Sequence, residues 1–155
     1  MTPPTPLPDG YTIHAGFPPV ADYRQIRVAS GLSARTEAQA VGAVTGSWYG
    51  CFAAYQDPSQ PSSQSQIVGM GRIIGDGGWY FHIADMGVLP EHQKKGLGDA
   101  ILKNLLEYIK TNAAEGDPYV SLFADPPGRK LYAKNGFVDG AKHDELGMVL
   151  EKQKV

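Results

Sequence analysis

The chain has 155 residues, a formal net charge of −2, 42% hydrophobic and 19% charged residues, which is the composition of one globular domain rather than a disordered polyelectrolyte. No basic excess advertises nucleic acid, no uncharged apolar run reaches membrane-spanning length, and the single cysteine, Cys51, excludes an internal disulfide and a thiolate metal cluster. The opening MTPPTPLPDG has neither the basic region nor the apolar core of a secretory leader, so the expected compartment is the cytoplasm.

Residues 1–10 are rich in proline and read as a flexible arm, and residues 11–155 as a single domain. Tyr11 to His14 alternates as a short strand. A helix is expected from about Pro19 to Ala29, ended by Gly31, and a second from Ser33 or Thr36 to Val44, with Thr36-Glu37 or Ser33 as the cap. Trp48 to Tyr55 is dense in strand formers, and Asp57 to Gln66 reads as a mobile polar hairpin loop. Ile67 to Ile74 and Trp79 to Leu89 flank a glycine-rich turn, which makes an antiparallel meander with the preceding strand.

After Pro90 the chain passes through Gln93-Lys94-Lys95-Gly96-Leu97-Gly98 into a helix whose Ile101, Leu102, Leu105, Leu106 and Ile109 share one face. Tyr119 to Ala124 follows as a buried-type strand, parallel to its predecessor if the helix is a crossover. Asp125 and Pro126 open a short helix that Gly136 closes. Strands near Phe137 to Gly140 and Leu146 to Glu151 are expected to finish an α+β domain.

A strand, a glycine-bearing turn and a helix in that order make an anion site, because the first helical turn has unpaired amides and the helix dipole favours negative charge. A Walker A loop is absent, and a dinucleotide fingerprint fails because Ile101 stands where the third glycine belongs. Gln93-x-x-Gly96-x-Gly98 behind Met86-Gly87-Val88-Leu89-Pro90, together with Leu131-Tyr132-Ala133-Lys134-Asn135-Gly136-Phe137, resembles the coenzyme A signature of the GCN5-related N-acetyltransferase (GNAT) superfamily. The element order from Tyr11 to Glu151 is also similar. The resemblance implies a mixed, mostly antiparallel sheet of six to seven strands flanked by about four helices. It also implies acetyl-CoA as the only cofactor, no metal, and coenzyme contacts from Met86, Gly87, Val88, Gln93, Lys94, Lys95, Gly96, Leu97, Gly98, Asp99 and Tyr132.

Acetyl transfer to an amine needs a base, donors to the thioester oxygen and an acid for the thiolate. The resemblance places Met86 N–H at the oxygen and Tyr132 as the acid. His82, four residues before Met86, is the candidate base, and Asp85 its rival, as base or as the charge that attracts a cationic amine. Alternation puts Tyr80, His82, Ala84, Met86 and Val88 on one face unless a bulge near Met86, usual in the family, shifts the register. One departure stands out: relatives carry Asn near the end of the fifth strand, where this chain reads Ala124-Asp125-Pro126-Pro127. Trp48, Tyr49, Trp79 and Asp85, with Phe17, Tyr23, Glu37 and Asp76, are candidates for the acceptor pocket. The expected partner is a small-molecule amine, with no nucleic acid and no membrane, and a homodimer is left open. A non-catalytic acyl-CoA-binding module and a protein or peptide N-acetyltransferase are the alternatives.

Overall fold

The computed structural model describes residues 6–151, so the first half of the expected Pro-rich arm lies outside the described residues. The described residues fall into two compact units, one reaching to Leu122 and one starting at Phe123. All five strands belong to the first: β1 (Tyr11–Ala15), β2 (Tyr49–Tyr55), β3 (Gln66–Gly75), β4 (Tyr80–Val88) and β5 (Tyr119–Leu122). They form one sheet in chain order, antiparallel from β1 to β4 and parallel between β4 and β5. The parallel step requires a crossover, and α3 (Leu97–Asn112) supplies it.

Two helices precede β2: α1 (Val20–Ala29) and α2 (Glu37–Gly46). Thr36 caps α2 in a complete capping box, its hydroxyl accepting the Gln39 N–H at 3.1 Å while Gln39 Oε1 accepts the Thr36 N–H at 3.1 Å. On one face of the sheet α3 lays Ile101, Leu102, Leu105 and Ile109, all buried. Against them sit Cys51, Ile73, Phe81 and Ile83, buried positions on the same side of β2, β3 and β4. Gly69 and Gly71 let the helix approach: a Cβ on Gly71 would come within 2.6 Å of Met86 Sδ and 2.8 Å of Ile101 Cγ2. The opposite face carries α1, whose Tyr23 and Ile26 are buried.

The second unit contains α4 (Arg129–Lys134), entered through a 3₁₀ turn at Pro126–Gly128 and closed at Gly136, where φ is +91°. The two expected terminal strands are a correction. Among the described residues the sheet has five strands, not six to seven. Asp139 instead opens a 3₁₀ turn by accepting the Ala141 N–H at 3.0 Å. Leu146 and Met148 are 83% and 84% exposed, so the apolar side chains that suggested the last strand gain no burial to offset the cost of ordering it.

Candidate active site

The decisive local feature is a bulge in β4. Met70 faces Gly87 and Arg72 faces Ala84, so Gly71 of β3 alone opposes Asp85 and Met86 of β4, and Asp85 takes up the excess at φ +55°. Asp tolerates this left-handed conformation better than most residues do. The bulge corrects the simple alternation: Tyr80, His82 and Ala84 stay on the α1 face, while Met86 turns to the α3 face, with its sulfur against Gly71.

Freed from the pleat, the Asp85 carboxylate enters a buried network under α1. Oδ1 accepts from Arg27 Nη1; Oδ2 accepts from the Tyr23 hydroxyl and, at 2.5 Å, from Arg72 Nε. Burial alone would raise its pKa, but the bonds from Tyr23 and Arg72 and the charges of both arginines hold it below the usual carboxylate value. Tyr23 responds in the opposite sense: burial and the bond to Asp85 raise its phenol pKa. Arg72 also donates to Ser47 Oγ at 3.1 Å, and Arg27 to Ser33 O at 3.0 Å. Tyr23, Arg27, Arg35, Gln39, Arg72 and Asp85 line a cleft of about 330 Å³ between α1, α2 and the sheet.

His82 lies on the same face, a diagonal neighbour of Arg72 across the β3–β4 ladder and opposite Ser121 on β5. Its Nδ1 is 3.0 Å from Ser121 Oγ. Burial first, then the Arg72 charge, lower its pKa, so the imidazole is neutral near pH 7.

The ladder between β4 and β5 ends at Ile83 and Leu122, while β4 runs on to Val88. Leu89 N–H donates to Val68 O on β3 at 2.8 Å; amides alternate along a strand, so those of Met86 and Val88 face the other edge. Gln93 reaches back and donates from Nε2 to Val88 O at 2.9 Å, pinning the start of the turn to the end of the strand. Beyond a 3₁₀ turn at Pro90–His92, Lys94 and Gly96 both have positive φ, +59° and +86°. Gly96 is the N-cap of α3, and a Cβ on it would meet nothing within 4 Å. Ala100 N–H bonds to Gly96 O at 3.0 Å, and the amides of Leu97 and Gly98 before it lie in the first turn, where no intrahelical carbonyl is in reach. The Asp99 charge that would oppose an anion there is paired with Lys103 at 2.8 Å. An exposed, open turn of this kind fits a pyrophosphate. Lys95 Nζ is bonded to Glu91 O at 2.8 Å.

Tyr132 belongs to the second unit. Its ring packs edge-on to Phe137 at a centroid distance of 6.0 Å, and its carbonyl accepts the amides of Asn135 and Phe137. Burial, then the Asp125 charge, raise the phenol pKa, so the hydroxyl keeps its proton.

Of the expected acceptor aromatics, Tyr23 lines the cleft, while Trp48, Tyr49 and Trp79 do not. Tyr49 stacks on Tyr108 of α3 at 3.6 Å and donates to Asn104 Oδ1, and Trp48 packs between Phe81 and Tyr108, on the opposite face from Asp85. Trp79 sits with Tyr80 and Tyr119 where β4 begins, 59% exposed. Asp76 is spent on the turn, its Oδ1 accepting the amides of Gly78, Trp79 and Tyr80. Sequence reasoning missed Arg27, Arg35, Arg72 and Ser121. A signal existed for one of them: Arg72 interrupts an apolar strand, and a charge there needs a counter-charge, which Asp85 alone offers within Trp79 to Leu89.

Comparison with known proteins agrees with this architecture. Residues 47–139 match the acetyltransferase (GNAT) domain family. A crystal structure of a "Probable Acetyltransferase" of otherwise unknown function from meticillin-resistant Staphylococcus aureus is 33% identical, covering 91% of this chain and 98% of that one, with a TM-score of 0.77. A GNAT-family protein from Streptococcus pneumoniae shares the fold at 23% identity, 92% and 98% coverage and a TM-score of 0.73. The N-acetyltransferase ycf52 of Pyropia yezoensis is 30% identical over 83 residues, 52% of this chain. The matched stretch spans 46% of that curated relative's length. No helix among the described residues is long and apolar enough to cross a membrane. With five strands and four α-helices among the described residues and the domain match across its centre, the chain belongs to the GNAT acetyltransferase family.

Proposed function

We propose that this protein is an acetyl-CoA-dependent N-acetyltransferase that acetylates the primary amine of a small molecule by direct attack in a ternary complex. The observation that carries the reading is His82: half-buried, held neutral, and on the sheet face that borders the Arg72 and Asp85 cleft. An alkylamine with a pKa near 10.4 is mostly protonated at neutral pH, so a neutral imidazole beside the acceptor is the group the reaction lacks most. Asp85 is a poor base by comparison, since three donors hold it ionised. Its role is to position Arg27, Arg72 and Tyr23.

The coenzyme supplies the acetyl group as a thioester. The amides from Lys94 to Asp99 receive the pyrophosphate, and the outward amides of Met86 and Val88 receive the thioester oxygen and the pantetheine arm. His82 Nε2 takes the amine's proton, with Nδ1 oriented by Ser121. Tyr132, still protonated, donates to the thiolate as it leaves. Localisation in the cytoplasm accords with this reading.

Calorimetry with coenzyme A, followed by a thiol-release screen across arylalkylamines, polyamines, amino sugars, amino acids and N-terminal peptides, tests it. Saturable coenzyme binding and release driven by a small primary amine are expected. No heat at millimolar coenzyme, or turnover with peptides only, refutes it.

A further inference from the structure

The charge of the cleft is opposite to what a cationic acceptor would need. Three guanidinium groups, Arg27, Arg35 and Arg72, line it against one carboxylate, Asp85. Both Asp85 oxygens are engaged, Oδ1 by Arg27 and Oδ2 by Tyr23 and Arg72, so two guanidinium groups already neutralise the one carboxylate that would hold an ammonium. Two positive charges remain in excess.

The arginines differ in how fully they are used. Every nitrogen of Arg27 is engaged, Nη1 on Asp85, Nε on Ser33 O and Nη2 on Ser33 Oγ. Arg72 commits Nε to Asp85 and Nη1 to Ser47 Oγ, but among the described residues its Nη2 donates to no acceptor. Arg35 donates only from Nη1, to Ala34 O at 3.0 Å, and its Nε and Nη2 have no partner among the described residues. Unused guanidinium N–H groups at one cleft are a site for a planar or tetrahedral oxyanion.

From this we infer that the acceptor carries an anionic group besides its amine, a carboxylate or a phosphate, received by Arg35 and the outer edge of Arg72. The inference rests on the acetyltransferase reading for the amine and on the cleft alone for the anion. Spacing agrees: Arg72 and His82 are diagonal neighbours on one face, and such positions lie roughly 7–8 Å apart. A short aliphatic spacer lets one molecule reach both. A cleft of about 330 Å³ accommodates an acceptor of that size.

The test compares butylamine, 4-aminobutyrate, 3-aminopropyl phosphate and 1,4-diaminobutane as acceptors at saturating acetyl-CoA. The anionic pair should exceed butylamine in kcat/KM by about tenfold or more, with the diamine lowest, and the better of the two anions identifies the acid group. Arg35→Ala should raise KM for the anionic acceptors far more than KM for acetyl-CoA, and Arg35→Glu should move the preference toward the diamine. Equal or better use of butylamine or the diamine by the parent overturns the inference. So does a rise in acetyl-CoA KM that matches the rise for the acceptor, because the anion would then be the coenzyme's own phosphate. In parallel, 4-aminobutyrate and 3-aminopropyl phosphate are titrated calorimetrically into the protein with coenzyme A present. Should no amine be acetylated, the catalytic reading fails by itself. These titrations then decide: heat that Arg35→Ala abolishes supports an anion-binding cleft, and no heat, or heat unchanged in the variant, refutes it.

Discussion

Replacing Asp85 by Asn keeps the shape of the bulge residue and tolerates its φ of +55°, but removes the charge and turns one acceptor oxygen into an amide donor. Its side chain is 10% exposed, and those of Arg27 and Arg72 are 8% and 15% exposed, so the variant leaves two guanidinium groups in a largely dry site without their counter-ion. Breaking a buried pair from one side costs about 3–5 kcal/mol. The carboxamide oxygen still accepts one bond, and Arg72 retains some access to water, which brings the expected loss to about 2–3 kcal/mol. For a chain of this length that corresponds to a fall in Tm of about 4–12 °C. Urea unfolding followed by tryptophan emission suits the question, because Trp48 and Trp79 both belong to the unit that contains Asp85. The difference also has a pH signature. Asp85 titrates below its unfolded value when folded, so its contribution is complete above about pH 3.9 and fades as the pH falls toward the lower folded pKa. Parent and variant should therefore converge in acid. A loss under about 0.5 kcal/mol at pH 7, or a gap that does not narrow as the pH falls below about 3.9, refutes the buried network.

For His82→Gln, the acidic limb of kcat/KM should disappear; in the parent that limb lies below about pH 6.5, since burial and Arg72 lower the imidazole pKa. An unchanged limb removes His82 as the base. Tyr132→Phe should lower kcat by about 10²-fold or more with little change in coenzyme affinity, provided its melting curve matches the parent. Equal kcat assigns Tyr132 a packing role. Gly71→Ala should cost about 1–3 kcal/mol, because its Cβ would press on Ile101 and Leu105 as well as on Met86, and a denaturant midpoint equal to the parent's would contradict the close approach of α3.

What the sequence made legible is governed by range. The Thr36 cap, one of two offered by the sequence, the stripe Ile101-Leu102-Leu105-Ile109 and the glycines of the turn are local patterns, and each appears in the fold where its pattern puts it. The bulge is expected near Met86 only through the family resemblance, because His-Ile-Ala-Asp-Met-Gly-Val reads as an acceptable alternation in either register, and only the pairing with β3 selects one. The Tyr23, Arg27 and Arg72 bonds to Asp85 join residues 62, 58 and 13 positions apart, beyond the reach of any periodicity. Trp48 and Tyr49 misled for a related reason: an aromatic pair at the start of a strand suits a pocket wall or a helix contact equally well, and Tyr108 of α3 decides the matter. At the far end Leu146, Met148, Val149 and Leu150 look like a strand in composition but remain 65–84% exposed.

The cleft is also a seam between two portions of the chain. Tyr23, Arg27, Arg35 and Gln39 come from α1, α2 and the loop between them, before residue 47, where the family match begins; the glycine-bearing turn and the His82 strand lie within the match. One helical hairpin therefore supplies most of the cleft wall without contributing to that turn. On the proposed function, exchanging residues 20–46 for those of a relative would replace one half of the recognition surface while the other half stayed as it is, so substrate choice would diversify as if by a cassette.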